Sequence, residues 1–462
     1  MSAAGMPRRA SAATRIAGRW NRLVAGVRAR ITWNRIFRTT SYLKSALWVI
    51  PLFAIVAVLV LAPLLRELDE ALRWKLTGLS VSGAQALYST VITLNLSFLV
   101  FTFGSLLVAI QVAGGQLTPR IIATTLLRDN VVRYSVGLFT FTLIFAVTAL
   151  NRLEQSVLQL VVLLVGAMGI ASMATFLFLI DYAARLLRPV SIVSRVGEKG
   201  LEVIDAVYPE PMSGPDEPAP RGDLGEPARV VMHEGFSGIV LAVDLASLAR
   251  KARRHGGMIE LAAQVGDFVA NGEPLLRLYG GAAAIADGEL EAAVALGAER
   301  TLEQDPMFGF RILVDIALKA LSPAINDPTT ATLAIDQVHR LLRIVGRRQL
   351  RGDAIRDSGG AVRVIFRTPN WEDFVHIACR EIRACGASSM QVARRMRAML
   401  TDLLDLLPSD RHAPLEEELR LLDLDLESHY PRPEDLALAR VADVQGMGGT
   451  PRRAATNPSP KG

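Results

Sequence analysis

The sequence predicts a membrane α-helical fold: four transmembrane helices followed by a cytoplasmic α+β region with a small β-rich module. Three observations predict it. Four apolar segments each approach the ~20 residues that a spanning helix needs. Of the 462 residues 51% are hydrophobic, and mean hydropathy is positive (+0.31) although the second half is rich in charge. Between residues 228 and 280, short strand-like runs alternate with the turn dipeptides Gly266-Asp267 and Asn271-Gly272.

Taken in order, residues 1–41 form a basic tail. The first 44 residues hold ten Lys or Arg and no acid, and the first acid is Glu67. Basic residues ahead of an apolar span are retained in the cytoplasm, which is a sufficient account of the charge without nucleic acid as a partner. Residues 42–181 contain the spans, Tyr42–Leu65, Tyr88–Val112, Tyr134–Leu150 and Ser156–Ile180. Arg120, Arg128 and Arg133 between the second and third, and Arg185 and Arg188 after the fourth, put both termini in the cytoplasm. Apart from Lys44 at the start of the first, no Asp, Glu, Lys, Arg or His falls inside these four segments, which argues against an ion-coupled carrier.

The second span is the least uniform. Thr90, Ser97, Gly104 and Gln111 recur every seven residues, with Thr93 beside them. Such a stripe serves close helix packing or lines an uncharged polar seam in a homo-oligomer. Gly166, Gly169 and Ser172 on the fourth span read as packing.

Residues 182–227 are an amphipathic stretch and a Pro-rich linker. In the module, residues 228–280, Asp244 caps a basic helix Leu245–His255. The run VGDFVANGEPL resembles the hairpin of biotinyl/lipoyl-type barrels. It lacks their modifiable lysine, since the module's one lysine, Lys251, lies on the helix. Residues 281–440 read as mostly helical, with a half-buried strand at Val362–Phe366 and a long or broken helix at Trp371–Leu407. Residues 441–462 read as disordered.

The most particular stretch is Asp305–Ala331, DPMFGFRILVDIALKALSPAINDPTTA. Asp305-Pro306, Ser322-Pro323 and Asp327-Pro328 are turn and helix-start signals. Arg311, Asp315 and Lys319 share one helix face among apolar neighbours, with Asn326 just beyond, an arrangement suited to buried pairing or a subunit interface. Glu372, His376, Cys379 and Arg383 also share a helix face and could hold a metal, but an i,i+4 Glu–His pair over a buried Cys is the plainer reading. Neither a P-loop nor GxSxG occurs, and no cofactor is implied. Cys379 and Cys385, six apart, form no CxxC pair.

From Thr301 to Ala331 the chain is similar to the signature of an uncharacterised bacterial membrane-protein family, domain of unknown function 2254. The stretch Ser97–Asp129 is similar to the same family's membrane signature, with Gln116, Pro119, Arg120 and Asp129 at matching positions. The resemblance covers roughly residues 40 to 430 and implies a bacterial inner-membrane protein, with no activity attached. The residues therefore support a channel-like or pore-like homo-oligomer with a cytoplasmic regulatory domain, in contact with membrane lipids. A membrane-anchored scaffold or sensor without transport is the alternative, and an enzyme using Asp305, Asp315 and Asp327 ranks third. Which ion or ligand is involved is not encoded in any motif.

Overall fold

The computed structural model describes residues 32–72, 78–116, 129–153, 157–186, 188–214, 224–350 and 353–449. The basic tail before residue 32, Pro119, Arg120 and the last 13 residues lie outside the described residues. The chain forms two compact units. One comprises the described parts of Met1–Tyr42, Glu217–Arg300 and Arg351–Thr368; the other comprises the rest.

Helix α1 (Trp33–Ser45) precedes four long apolar helices, α2 (Val49–Leu72), α3 (Val81–Gln116), α4 (Asn130–Asn151) and α5 (Gln159–Leu186). Each is long and apolar enough to cross a membrane. Their ends differ from the sequence reading: the first begins only at Val49, because Tyr42–Ser45 belong to α1, the fourth begins at Gln159, and all four run on past their apolar windows at the C-terminal end. Arg133, placed in a loop by the sequence, lies in the first turn of α4 and donates to the Leu43 carbonyl (3.1 Å). Small residues let the helices meet. A Cβ on Gly137 would lie 2.4 Å from Ile50 Cγ2, and one on Gly169 2.9 Å from Val91 Cγ2. Ser172, fully buried, reaches Thr142 Oγ1 at 3.2 Å.

The first unit holds the β-module. Its strands are β1 (Arg229–Met232), β2 (Gly238–Val243), β3 (Gly257–Leu261), β4 (Phe268–Val269), β5 (Pro274–Gly280), β6 (Val294–Gly297), β7 (Ala354–Arg356) and β8 (Val362–Ile365). Helix α7 (Leu245–Arg254), capped by Asp244 through Ser247 N (2.9 Å), packs beneath them. One sheet runs β1-β5-β3-β8-β7 and the other β4-β2-β6. The run VGDFVANGEPL is therefore no hairpin, because β4 pairs with β2 while β5 pairs with β1 and β3. The strand read among the helices, around Val364, pairs in parallel with β3 (Ile259↔Val364). Its apolar face, Val364 and Phe366, closes the module core with Leu276, Leu278 and Ile259. The short helix α8 (Asp287–Glu291) leads into β6, which the sequence reads as helical. Helix α1 belongs here too: Trp33 and Phe37 pack with Ile239 against Leu241, Ala242 and Ala295.

In the second unit, α6 (Pro189–Val207) follows α5 and enters a helical core with α9 (Pro306–Ala320), α10 (Pro328–Val345), α11 (Trp371–Gly386), α12 (Met390–Leu406), α13 (His412–His429) and α14 (Pro433–Ala439). Phe310, Ile312, Leu313, Val314 and Ile316 of α9 are fully buried there. Helix α6 lies close against α10, since a Cβ on Gly197 would meet Gln337 Oε1 at 2.2 Å. The Trp371–Leu407 stretch breaks after Gly386, where a Cβ would stand 2.5 Å from Val392 Cγ1. Residues 441–449, read from composition as disordered, are held by Arg394. This side chain, 1% exposed, donates to the carbonyls of Val441 (3.0 Å), Gly448 (3.2 Å) and Gly449 (2.8 Å). Burying a guanidinium requires such partners, and backbone carbonyls supply them here.

Candidate functional site

Two features of the membrane helices organise the polar chemistry of the chain. The first is a joint between the bundle and α6. A helix begins with backbone N–H groups that have no partner within the helix, and a buried helix start must satisfy them. Asp129 does this for α4: one carboxylate oxygen accepts from Val131 N (2.9 Å) and Val132 N (3.2 Å). Its other oxygen accepts from Tyr182 Oη on α5 (2.5 Å) and Arg195 Nη1 on α6 (2.8 Å). Arg195 Nη2 donates in turn to Tyr182 Oη (2.7 Å), and its guanidinium lies over the Tyr182 ring. Asp129 is buried and Arg195 half-buried. Burial alone would push the Arg195 guanidinium down, but its bonds to Tyr182 and Asp129 outweigh that and hold it above its ordinary value. One carboxylate thus joins three helices.

At the opposite end of the bundle Asp69 does the same local job for α5, accepting from Leu160 N (2.9 Å) and Val161 N (3.3 Å). A small cleft of about 30 Å³ lies near it, between Tyr88, Phe145 and Arg152. That is room for a water molecule or so, far from a conduit through the bundle.

The second feature is the outer face of α3. Thr90, Thr93, Ser97, Gly104 and Gln111 are all exposed on the outside of the bundle. The three hydroxyls donate to carbonyls of their own helix, those of Ala86 (2.8 Å), Ser89 (2.9 Å) and Thr93 (2.8 Å). A Cβ on Gly104 would meet nothing within 4 Å. The packing that holds the bundle uses the other face of α3, through Tyr88, Val91, Phe98 and Leu106. Two polar residues missed in the sequence sit on that inner face. Thr102 donates to the Phe98 carbonyl (2.7 Å), and Asn95, fully buried, donates to the Val91 carbonyl (2.9 Å) while its Oδ1 accepts no bond among the described residues.

The residues singled out around α9 are brought into helix caps and pairs. Asp305 caps α9 through Phe308 N (3.1 Å), and Asp327 caps α10 through Thr330 N (3.0 Å). Ser322 starts no helix; its Oγ donates back to the Lys319 carbonyl (2.7 Å) in a turn. Asn326 closes that turn with a φ of 48°, a left-handed conformation that asparagine tolerates. Arg311 bonds Asp315 (2.7 Å) and, across to α11, Glu381 (3.0 Å for Nη2). Its bonds to Glu381 hold Arg311 above its ordinary value, and the guanidinium holds Glu381 below the usual carboxylate range. Lys319 is exposed. Asp305 and Asp327 sit before and after α9, about 22 Å apart at 1.5 Å per residue over its 15 residues. These three aspartates do not converge on a catalytic pocket.

On α11, His376 meets Glu372 (3.4 Å) and Arg380 (2.7 Å), while Cys379 is fully buried, its thiol pushed up by burial. Glu418, also fully buried, accepts from Arg380 (3.3 Å) and Arg383 (3.1 Å). The face offered as a metal candidate is thus occupied by ion pairs.

Four candidate spans joined to an α+β region define a multi-pass membrane protein. The chain belongs to the family described as Predicted membrane protein (DUF2254), whose model matches residues 44–402. It is similar to uncharacterized protein Mb1321c of Mycobacterium bovis and uncharacterized protein Rv1290c of Mycobacterium tuberculosis. Each is 28% identical over 400 residues, covering 81% of this chain and 73% of the relative. No solved structure matches.

Proposed function

We propose that the protein is a homo-oligomer of the bacterial inner membrane, in which the outer faces of α3 from several copies meet along an uncharged polar seam. The seam gives a channel-like path, and the helices after the spans regulate it from the cytoplasm. The observation that carries this reading is the exposure of Thr90, Thr93, Ser97, Gly104 and Gln111 on the outside of the bundle. Hydroxyls and glycines facing lipid contribute little to one chain, whereas between chains they allow close approach and polar contact.

Two further observations support a cytoplasmic placement of both termini. The basic N-terminal stretch favours the cytoplasm. Helix α1, ahead of the first span, packs on β2 and β6, which follow the fourth, as an even number of crossings requires. The Asp129–Tyr182–Arg195 joint supports the regulatory half of the reading, and equally a sensor without transport, because it ties the spans to the helix that packs against α10.

Flux assays separate the two. Liposomes containing the protein pass small ions, and the double variant Ser97→Leu, Gln111→Leu passes far fewer. If neither the parent nor the variant passes ions, transport is lost from the proposal and the sensor reading stands.

A further inference from the structure

Two exposed aromatic rings on the β-module are used neither by its core nor by the reading above. Phe236 is 89% exposed and Phe268 is 64% exposed. Both lie at the Gly238 end of β2. Phe268 is paired with Ile239, and Phe236 stands two residues before Gly238. The turns that carry them are tied together: Asn271 N donates to Ser237 Oγ (3.0 Å), Gly272 N to the His233 carbonyl (2.8 Å), and the His233 ring bonds the Phe236 carbonyl (3.0 Å). The rings therefore project from an ordered tip, and aromatic rings so presented mark a surface that something covers.

Helix α1 indicates what covers them. Asn34 N donates to the Ala292 carbonyl (3.0 Å), beside the Val243–Val294 end of the β2–β6 pair. Trp33 and Phe37 then lie along that pair with Ile239. The helix thus runs towards the Gly238 end of the pair and stops at Ser45, with three residues between it and the start of α2 at Val49. So short a link ties the end of α1 to the start of the first candidate span. The charge fits: Arg35 and Arg38 lie on α1, within a stretch of 44 residues that holds ten basic side chains and no acid.

We propose that Phe236 and Phe268 enter the headgroup–acyl boundary of an anionic bilayer, so that the β-module rests on lipid through this tip and α1. Apolar and aromatic side chains presented by a basic amphipathic element bind at that depth.

The test uses the full chain in liposomes of phosphatidylglycerol and phosphatidylethanolamine. With Cys385→Ser removing the exposed thiol, nitroxide labels are placed at Phe236→Cys, Phe268→Cys and, as a surface control on α7, Arg254→Cys. The two tip labels should collide with oxygen several-fold more, relative to a water-soluble nickel chelate, than the control label does. A tip ratio equal to the control overturns the proposal. So does protection from both reagents with spin–spin broadening between chains, which would assign the tip to a second copy.

Discussion

The joint around Asp129 and the outer face of α3 handle polar groups in opposite ways. At the joint every polar group is satisfied inside one chain: two backbone amides, a phenol and a guanidinium converge on a single carboxylate. On the outer face the hydroxyls bond, among the described residues, to their own helix and face outward. Groups of the first kind serve the fold, and their loss is felt in stability. Groups of the second kind contribute little to the fold of a single chain, so a role for them has to be sought between chains.

The largest effect expected from this contrast is at the joint. Asp129→Ala removes the cap of α4 and leaves half-buried Arg195 without its carboxylate, a loss on the order of 2–3 kcal/mol for a cap and a charge-assisted hydrogen bond together. Thermal unfolding in mild detergent would read it. Asp69→Ala sharpens the comparison, because Asp69 accepts only backbone amides among its described partners. It should cost about 1 kcal/mol, the usual worth of a cap. Equal losses for the two variants would mean that Tyr182 and Arg195 add nothing to Asp129.

A smaller effect concerns the pH dependence of stability. His339 of α10 meets Asp402 (2.8 Å) and Arg395 (3.1 Å). Burial, helped by Arg395, pushes its ring below the ordinary value of 6.5 despite the carboxylate. The fold therefore favours the neutral ring, and the unfolded chain takes up the proton first. The contribution is fully present above pH 6.5 and is lost as the pH falls towards the folded value. Denaturation curves at falling pH should show that decline, and His339→Gln should flatten it. The smallest effect leaves stability untouched. In the native protein iodoacetamide should modify exposed Cys385 and spare buried Cys379, with both reacting in denaturant.

What could be read from the sequence follows the range of the interactions involved. The four spans rest on composition within a short window, and the caps Asp244, Asp305 and Asp327 on one residue beside its own helix, so all were legible. Ser322 misled because Ser-Pro serves turns as well as helix starts. The joint was out of reach: Tyr182 lies 53 residues and Arg195 66 residues from Asp129 along the chain, and no local spacing links them. An aspartate directly before an apolar segment, at a position matching the family's membrane signature, marked Asp129 but gave no partner for it. The same limit hid the pairing of β8 with β3 across some hundred residues. The stripe on α3 was legible as a periodicity, but which face it occupies depends on how α3 packs against α4 and α5.

The most direct test of the proposed seam is the particle mass of the purified protein in lipid nanodiscs or mild detergent. The account predicts an oligomer for the parent chain, and folded monomers for the double variant Ser97→Leu, Gln111→Leu, with the unfolding temperature of the bundle unchanged. A monomeric parent, or a variant that assembles as well as the parent, would contradict it.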